Sequence, residues 1–307
     1  MIDYKKNKNM GLKKLSAFFF LNFFCNDNCD FCFFNKLLLT KNFLSLDQVK
    51  DALNRLSDKI LVLALTGGEP TLNPEFWEII DYVYNAYIKT GKIKEFDLST
   101  NAITSADKKV AKNLEKYFTI FDKSYKRTKI SFSFSYLEGY EQNRKLKGIK
   151  NLMALNSNIE AVITITKNNY KQIASITEML IDLYKKRKSK KYFFRIDYRL
   201  PYTLKMYYFP DLNEIIPSAK GFFSVFDKTI EIARREKIGV TLHNIPLCYI
   251  KKPDYFFSRP CSRGFMFRPS MIELGIMDEF ISAFRFNKNK ECEKCRFNKQ
   301  CGGIERI

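Results

Sequence analysis

The sequence predicts an α/β fold built on a parallel sheet. Three observations point there. Short apolar runs recur at roughly 30-residue spacing, with helix-patterned segments between them. Several of these runs are large and apolar at every second position and small or charged at the others. Helix-start signals stand between them, in the Ser45…Gln48 pair and at Pro74.

The elements follow in order. An apolar strand over 15–24 leads straight into a cysteine-bearing loop. Ser45 with Gln48 three residues on is a reciprocal capping pattern, and it opens a helix over 45–56. The continuous apolar run 60–65 suits a strand buried on both faces. Pro74 begins a helix to about residue 89, proline being favoured in a first turn. Strands over 95–99 and 129–136 alternate with helices over 105–117 and 140–155. A strand over 160–165, a helix over 169–185 and a strand over 192–198 complete six strands.

The strand faces carry functional information. Ile130, Phe132 and Phe134 alternate with Ser131, Ser133 and Ser135, and Ile163 and Ile165 alternate with Thr164 and Thr166. Phe194, Ile196 and Tyr198 alternate with Phe193, Arg195, Asp197 and Arg199. A parallel strand dry on both faces reads as unbroken hydrophobics, and successive side chains point to opposite faces. The polar rows therefore line a common lumen, with the apolar rows under the helices. Arg195, Asp197 and Arg199 are the catalytic candidates, because α/β barrels place their sites at the C-terminal ends of strands. A salt-bridge ladder that satisfies itself is the competing reading.

With 46% hydrophobic content, 307 residues support a sizeable core, as one large domain or one domain plus an appendage. All eight cysteines fall within 25–32 and 248–301. That grouping points to metal binding in a reducing cytosol rather than to a disulfide framework. Lys13, Lys14 and the apolar run before Cys25 imitate a signal peptide ending at a lipidated cysteine. Phe23 and Phe24 are too bulky for such cleavage, and the run is too short to span a bilayer. No membrane partner and a cytoplasmic location are expected. The net charge of +20 invites a nucleic-acid partner. The lysines are dispersed apart from 5–14 and 185–191, so an AT-rich compositional bias is favoured. The run 185–191 belongs at the N-terminal face of the sheet and reads as a solvated loop.

The chemistry lies in Cys25, Cys29 and Cys32, spaced C-x3-C-x2-C, and in Thr66-Gly67-Gly68-Glu69-Pro70. Three close thiolates occupy three corners of a cubane iron–sulfur cluster and leave the fourth iron open. A structural zinc site takes four ligands, and the next cysteine is Cys248. Read alone, 66–70 is a strand-to-helix turn. Taken with the cysteines and with Phe31 before the third of them, it resembles the radical S-adenosylmethionine (SAM) superfamily.

The resemblance covers residues 15–240 and implies a partial (β/α)6 barrel of parallel strands, followed by a small cysteine-rich C-terminal module. It implies a 4Fe–4S cluster on Cys25, Cys29 and Cys32 whose open iron chelates the amino and carboxylate groups of SAM. One electron then releases a 5′-deoxyadenosyl radical, which takes a hydrogen atom from substrate. By the same resemblance Phe31 lies near the adenine. Thr66, Gly67, Gly68, Glu69 and Pro70 form the cofactor turn, with the glycine backbone approaching the methionine ammonium where a Cβ would block it. Glu69 faces that ammonium. Ser99 and Asn101 belong to an S-T-N-G-like segment in which Ala102 replaces the glycine. Ser133 or Ser135, with Arg144, would hold the SAM carboxylate or ribose hydroxyls. The single histidine, His243, reads as structural.

The second group, Cys248, Cys261, Cys292, Cys295 and Cys301, ends in C-x2-C-x5-C-G. It resembles the auxiliary-cluster modules called SPASM and twitch. A full SPASM module holds two clusters on more cysteines than these five, so one auxiliary 4Fe–4S cluster is expected. Cys261, Cys292, Cys295 and Cys301 are the preferred ligands, and Cys248 either replaces one or stands apart. A four-cysteine zinc site is the alternative. The expected organisation is an extension over 1–14, the barrel over 15–240 and the module over 241–307. The substrate is expected to be a peptide or small metabolite, and the electron donor a flavodoxin or ferredoxin. RNA modification is the second reading. A non-catalytic cluster or zinc protein, either a regulator or an electron carrier, is the third.

Overall fold

The computed structural model describes residues 15–32, 42–56, 60–119, 127–137, 140–201, 215–217, 219–243, 245, 258–259, 264–267, 278–280 and 290–296. Seven parallel strands form its centre: β1 (Leu15–Phe20), β2 (Ile60–Thr66), β3 (Glu95–Thr100), β4 (Arg127–Ser133), β5 (Asn158–Thr164), β6 (Phe194–Arg199) and β7 (Gly239–His243). The helices between them are α1 (Leu46–Leu56), α2 (Phe76–Val83), α3 (Lys108–Glu115), α4 (Tyr140–Met153), α5 (Ile173–Lys185) and α6 (Ala219–Arg235). The last segments add β8 (Ser258–Arg259), β9 (Gly264–Phe267), β10 (Asp278–Phe280) and a short helix α7 (Lys290–Glu293). The sheet order is β10-β9-β1-β2-β3-β4-β5-β6-β7-β8, so the sheet does not close. Among the strands described, only the β9–β10 pair is antiparallel.

The expected alternation sets which face is dry. Ile130, Phe132, Phe134, Ile163, Ile165, Ile196 and Tyr198 are all buried. They pack with Val49 and Leu53 of α1, Ile79 and Ile80 of α2, and Ile176 and Leu180 of α5 in one core. Each such side chain contributes about 1.5–3 kcal/mol on burial. The Ser45–Gln48 box forms, with Ser45 N–H donating to Gln48 Oε1 at 2.9 Å and Gln48 N–H to Ser45 Oγ at 3.3 Å.

Several boundaries differ from expectation. β1 ends at Phe20 rather than 24, because Asn22 turns away to bridge Phe43. α2 begins at Phe76, after a 3-10 turn over Pro70–Leu72, and continues as a π turn over Tyr84–Ile88. α3 begins at Lys108, where the Asp107 side chain caps Lys109 N–H at 2.8 Å. A seventh parallel strand, β7, runs across the boundary expected at residue 240. In the 185–191 loop, Arg187 is buried rather than solvated. It donates to the carbonyls of Leu155 and Ser157 at 2.8 and 2.7 Å, pinning the connection between α4 and β5 to the segment after α5. Residues 1–14, Cys248, Cys261 and Cys301 lie outside the described residues.

Candidate cofactor cavity

The loop over 25–32 follows β1 and lies across the ends of the neighbouring strands. Gly68 N–H donates to Asn22 O at 2.9 Å and Glu69 N–H to Phe24 O at 2.8 Å, stitching the glycine turn to the loop's entry. A Cβ on Gly68 would sit 2.2 Å from Phe24 O. One on Gly67, whose φ is +146°, would sit 2.5 Å from Asn22 O. The chain's own backbone therefore demands both glycines, where the sequence reading placed that demand in a ligand's approach.

Glu69 is fully buried and faces inward. Its carboxylate accepts from Thr71 Oγ1 at 2.6 Å, Thr100 Oγ1 at 2.8 Å and the backbone N–H of Asn101 at 2.6 Å. Burial pushes its carboxyl up, and these hydrogen bonds oppose the shift. It clamps the exit of β2 to that of β3. Asn101 continues the chain of contacts, donating from Nδ2 to Asn26 Oδ1 at 2.8 Å and to Cys25 Sγ at 3.5 Å. Ala102 adopts φ +68° where the resembled motif has glycine.

Other anchors of the loop carried no sequence signal. Lys145 on α4 pairs with Asp27 at 2.5 Å, with both side chains nearly buried. Asp30 accepts from Tyr136 Oη at 2.5 Å and from Asn168 Nδ2 at 2.8 Å. The Tyr136 ring stacks with Phe31 at 6.4 Å between centroids. Four strand exits, those of β2, β3, β4 and β5, thus hold the loop.

These elements enclose a cavity of about 280 Å³. It brings together Cys25, Cys29, Cys32, Phe31, Thr66, Gly67, Gly68, Ser99, Asn101, Ser133 and Arg199 from the sequence-predicted set, with Thr100, Ser131 and Thr164 beside them. Glu69, Pro70, Ser135, Arg144, Arg195 and Asp197 are not among its lining. Pro70 opens the 3-10 turn, and Ser135 Oγ accepts from Thr164 N–H at 3.2 Å. Arg144 is exposed on α4.

Nearer the strands' N-terminal ends, the same inner face carries paired charges. Lys129 bridges Asp97 at 3.2 Å and Glu160 at 2.6 Å, and Arg195 also pairs with Glu160. Asp197 is met by Arg199 at 2.5 Å, Thr241 at 3.1 Å and His243 Nδ1 at 2.6 Å. Burial raises the carboxyls of Glu160 and Asp197, but the cations around them outweigh it and hold both below the usual range. Arg195 and Asp197 thus sit in a ladder of internal pairs, and Arg199 alone of the three borders the cavity.

The donor set of the loop suits an iron–sulfur cluster. Burial pushes the Cys25 thiol up to about 12, and Cys29 further, so ligation there must displace protons. Among the described residues, no three His, Cys, Asp or Glu side chains converge as ligands of one ion. Thiols spread around a cavity fit a cluster in which each cysteine holds a different iron. Cys32 N–H donates to Cys29 O at 3.1 Å, and Cys295 N–H donates to Cys292 O at 3.2 Å. Both C-x2-C pairs therefore share the same backbone hydrogen bond. None of the five described cysteines is in a disulfide.

Residues 20–125 match the family model described as the Radical SAM superfamily. The superfamily implies SAM and a 4Fe–4S cluster as cofactors. A comparison with curated proteins finds no match. Among solved structures, the chain is similar to Streptococcus suis SuiB bound to S-adenosylmethionine. There the TM-score is 0.61 at 17% identity, over 95% of this chain and 73% of that one. It is also similar to SuiB bound to the precursor peptide SuiA, with TM-score 0.54 at 16% identity, over 75% of this chain and 49% of that one. HydG, a maturase of the [FeFe]-hydrogenase, matches with TM-score 0.51 at 14% identity, over 82% of this chain and 58% of that one. In the first SuiB matches the chain spans about half the length of the solved protein. Among the described residues, no helix is long and apolar enough to cross a membrane.

Proposed function

We propose that this protein is a radical SAM enzyme that abstracts a hydrogen atom from a peptide or small-metabolite substrate, assisted by one auxiliary cluster. The observation that carries the reading is a single cavity ringed by three cysteines, a two-glycine turn and rows of hydroxyls. Cys25, Cys29 and Cys32 would hold a 4Fe–4S cluster, which when bound supplies the electron that cleaves SAM. Phe31 offers an aromatic face for the adenine, and Ser99, Asn101 and Ser133 offer polar contacts for SAM. The glycine turn, fixed by Phe24 O and Asn22 O, presents backbone rather than side chains to the cavity. Arg199 is the charged group placed to orient a substrate at the β6 side. The peptide class is supported by the likeness to SuiB, which has been solved with a precursor peptide. In this reading the C-terminal cysteines Cys261, Cys292, Cys295 and Cys301 hold the auxiliary cluster, supported by the Cys295-to-Cys292 backbone hydrogen bond that matches the one from Cys32 to Cys29.

Anaerobic reconstitution with iron and sulfide, reduction and addition of SAM test the core of the reading. Formation of 5′-deoxyadenosine above a Cys29→Ala control is the expected result. No product and no SAM binding from a well-loaded protein would overturn it. Iron content that stays unchanged in a Cys292→Ala/Cys295→Ala variant would remove the auxiliary cluster.

A further inference from the structure

The cysteine loop contains an acid beside its thiols and borrows a buried cation from a distant helix. Asp27 Oδ2 accepts from the Cys29 thiol at 3.3 Å. The same oxygen is met by Lys145 Nζ at 2.5 Å, where the lysine side chain is 3% exposed and the aspartate 9%. Lysine is almost never buried this deeply without a paired anion. An isolated buried charge costs several kcal/mol, so the pair exists as a unit: neither member sits there alone without penalty.

Lys145 is next to Arg144, the residue that sequence resemblance favours for a ligand contact, yet the two point differently. Arg144 is exposed, and its neighbour reaches the loop. The chemistry at the loop explains the choice. Three cysteines ligating iron are thiolates, and Cys29 then has no proton to donate to Asp27. A carboxylate and a thiolate are left in contact, beside two further thiolates. A fixed positive charge at this point offsets that repulsion, and among the described residues Lys145 supplies it. Groups just outside a metal's ligands tune its affinity and potential by this means.

We infer that Lys145 is a positioning residue for the cluster. Its ammonium pins Asp27, holds Cys29 in place and raises the reduction potential of the iron–sulfur centre. The inference rests on the proposed radical SAM reading.

The test uses the reconstituted full-length chain as wild type, Lys145→Met, Lys145→Arg, Asp27→Asn and the double variant Asp27→Asn/Lys145→Met. Iron content and EPR-monitored redox titration are the readouts, with the signal that responds to SAM marking the first site. Lys145→Met is expected to lose iron and to shift the reduction equilibrium about tenfold against reduction, about 59 mV for one electron. Lys145→Arg is expected to stay near wild type. Asp27→Asn removes the opposite charge and is expected to shift the potential upward, so a fold-damaged Lys145→Met does not leave the question open. The double variant is expected to return toward wild type. Unchanged potentials in Lys145→Met and Asp27→Asn, in protein whose wild type holds a SAM-responsive cluster, would overturn this inference alone. A wild type with no SAM-responsive cluster would instead overturn the reading on which it stands.

Discussion

The two ends of the lumen use the same strands and settle their polar groups in opposite ways. Toward the N-terminal ends, Asp97, Lys129, Glu160 and Arg195 close on one another. Two to four residues further along the same strands, Ser99, Ser133 and Thr164 line open space. A buried charge must find a partner wherever the fold places it. A serine or threonine hydroxyl that lines a cavity can be removed at little cost. The first arrangement makes a floor and the second makes a site, and substitution should separate them.

The largest effect is expected at the floor. Lys129→Met leaves buried Asp97 without its cation and Glu160 with Arg195 alone, and should cost about 3–5 kcal/mol. Chemical denaturation reads this directly, and a loss below about 1 kcal/mol would mean that the ladder is wetter than its burial suggests. Acid attacks the same end. The folded-state carboxyls of Glu160 and Asp197 lie below their ordinary values. Below about pH 4 these two groups therefore bind more protons in the unfolded chain than in the folded one. Their contribution is complete above that pH and is lost as pH falls through the folded values. Glu69 and Asp97 are shifted the other way by burial, so their protonation favours the folded state. A melting temperature that falls no more steeply between pH 5 and 3 in the wild type than in Glu160→Gln would contradict the contribution assigned to the ladder.

Gly68→Ala comes next. Its Cβ would lie 2.2 Å from a backbone carbonyl that cannot swing aside. A cost of about 1–3 kcal/mol is expected, together with loss of cluster loading, because the displaced residue is Phe24, next to Cys25. Iron analysis beside a melt checks both halves. Ser133→Ala should leave stability within about 0.5 kcal/mol while weakening SAM binding by about 2- to 10-fold, the worth of one hydrogen bond. Calorimetric titration with SAM decides this, and unaltered affinity would remove Ser133 from the binding set. The smallest effect is expected at Ala102→Gly. Relief of a left-handed backbone, loss of a buried methyl group and added freedom in the unfolded chain nearly cancel. A change below about 1 kcal/mol is expected.

The division between the two ends also marks what could be read in advance. The alternation of Ile130, Phe132 and Phe134 with serines announced both the dry face and the lumen, because period 2 is a local property of a strand. The cysteine and glycine motifs are local too. Lys145 could not be found that way. Adjacent residues on a helix diverge by about 100°, and nothing in the chain beside Lys145 says that Asp27, far off in sequence, will be its partner. Glu69 likewise read as a ligand-facing acid because its partners, Thr100 and Asn101, arrive from another strand. β7 carries little local signal, because Gly239–His243 is short and sparsely apolar. It is recruited by register with β6, where Thr241 and His243 meet Asp197 and Arg199.

The final strands constrain the spacing of the sheet's two edges. β8 lies at the β7 edge and β9 at the β1 edge, yet Arg259 and Gly264 are five residues apart in the chain. An extended chain of that length reaches at most about 18 Å. Arg259, on the strand beside β7, and Gly264, on the strand beside β1, therefore lie within that span of each other, which bounds how far the two ends of the seven-stranded centre stand apart there.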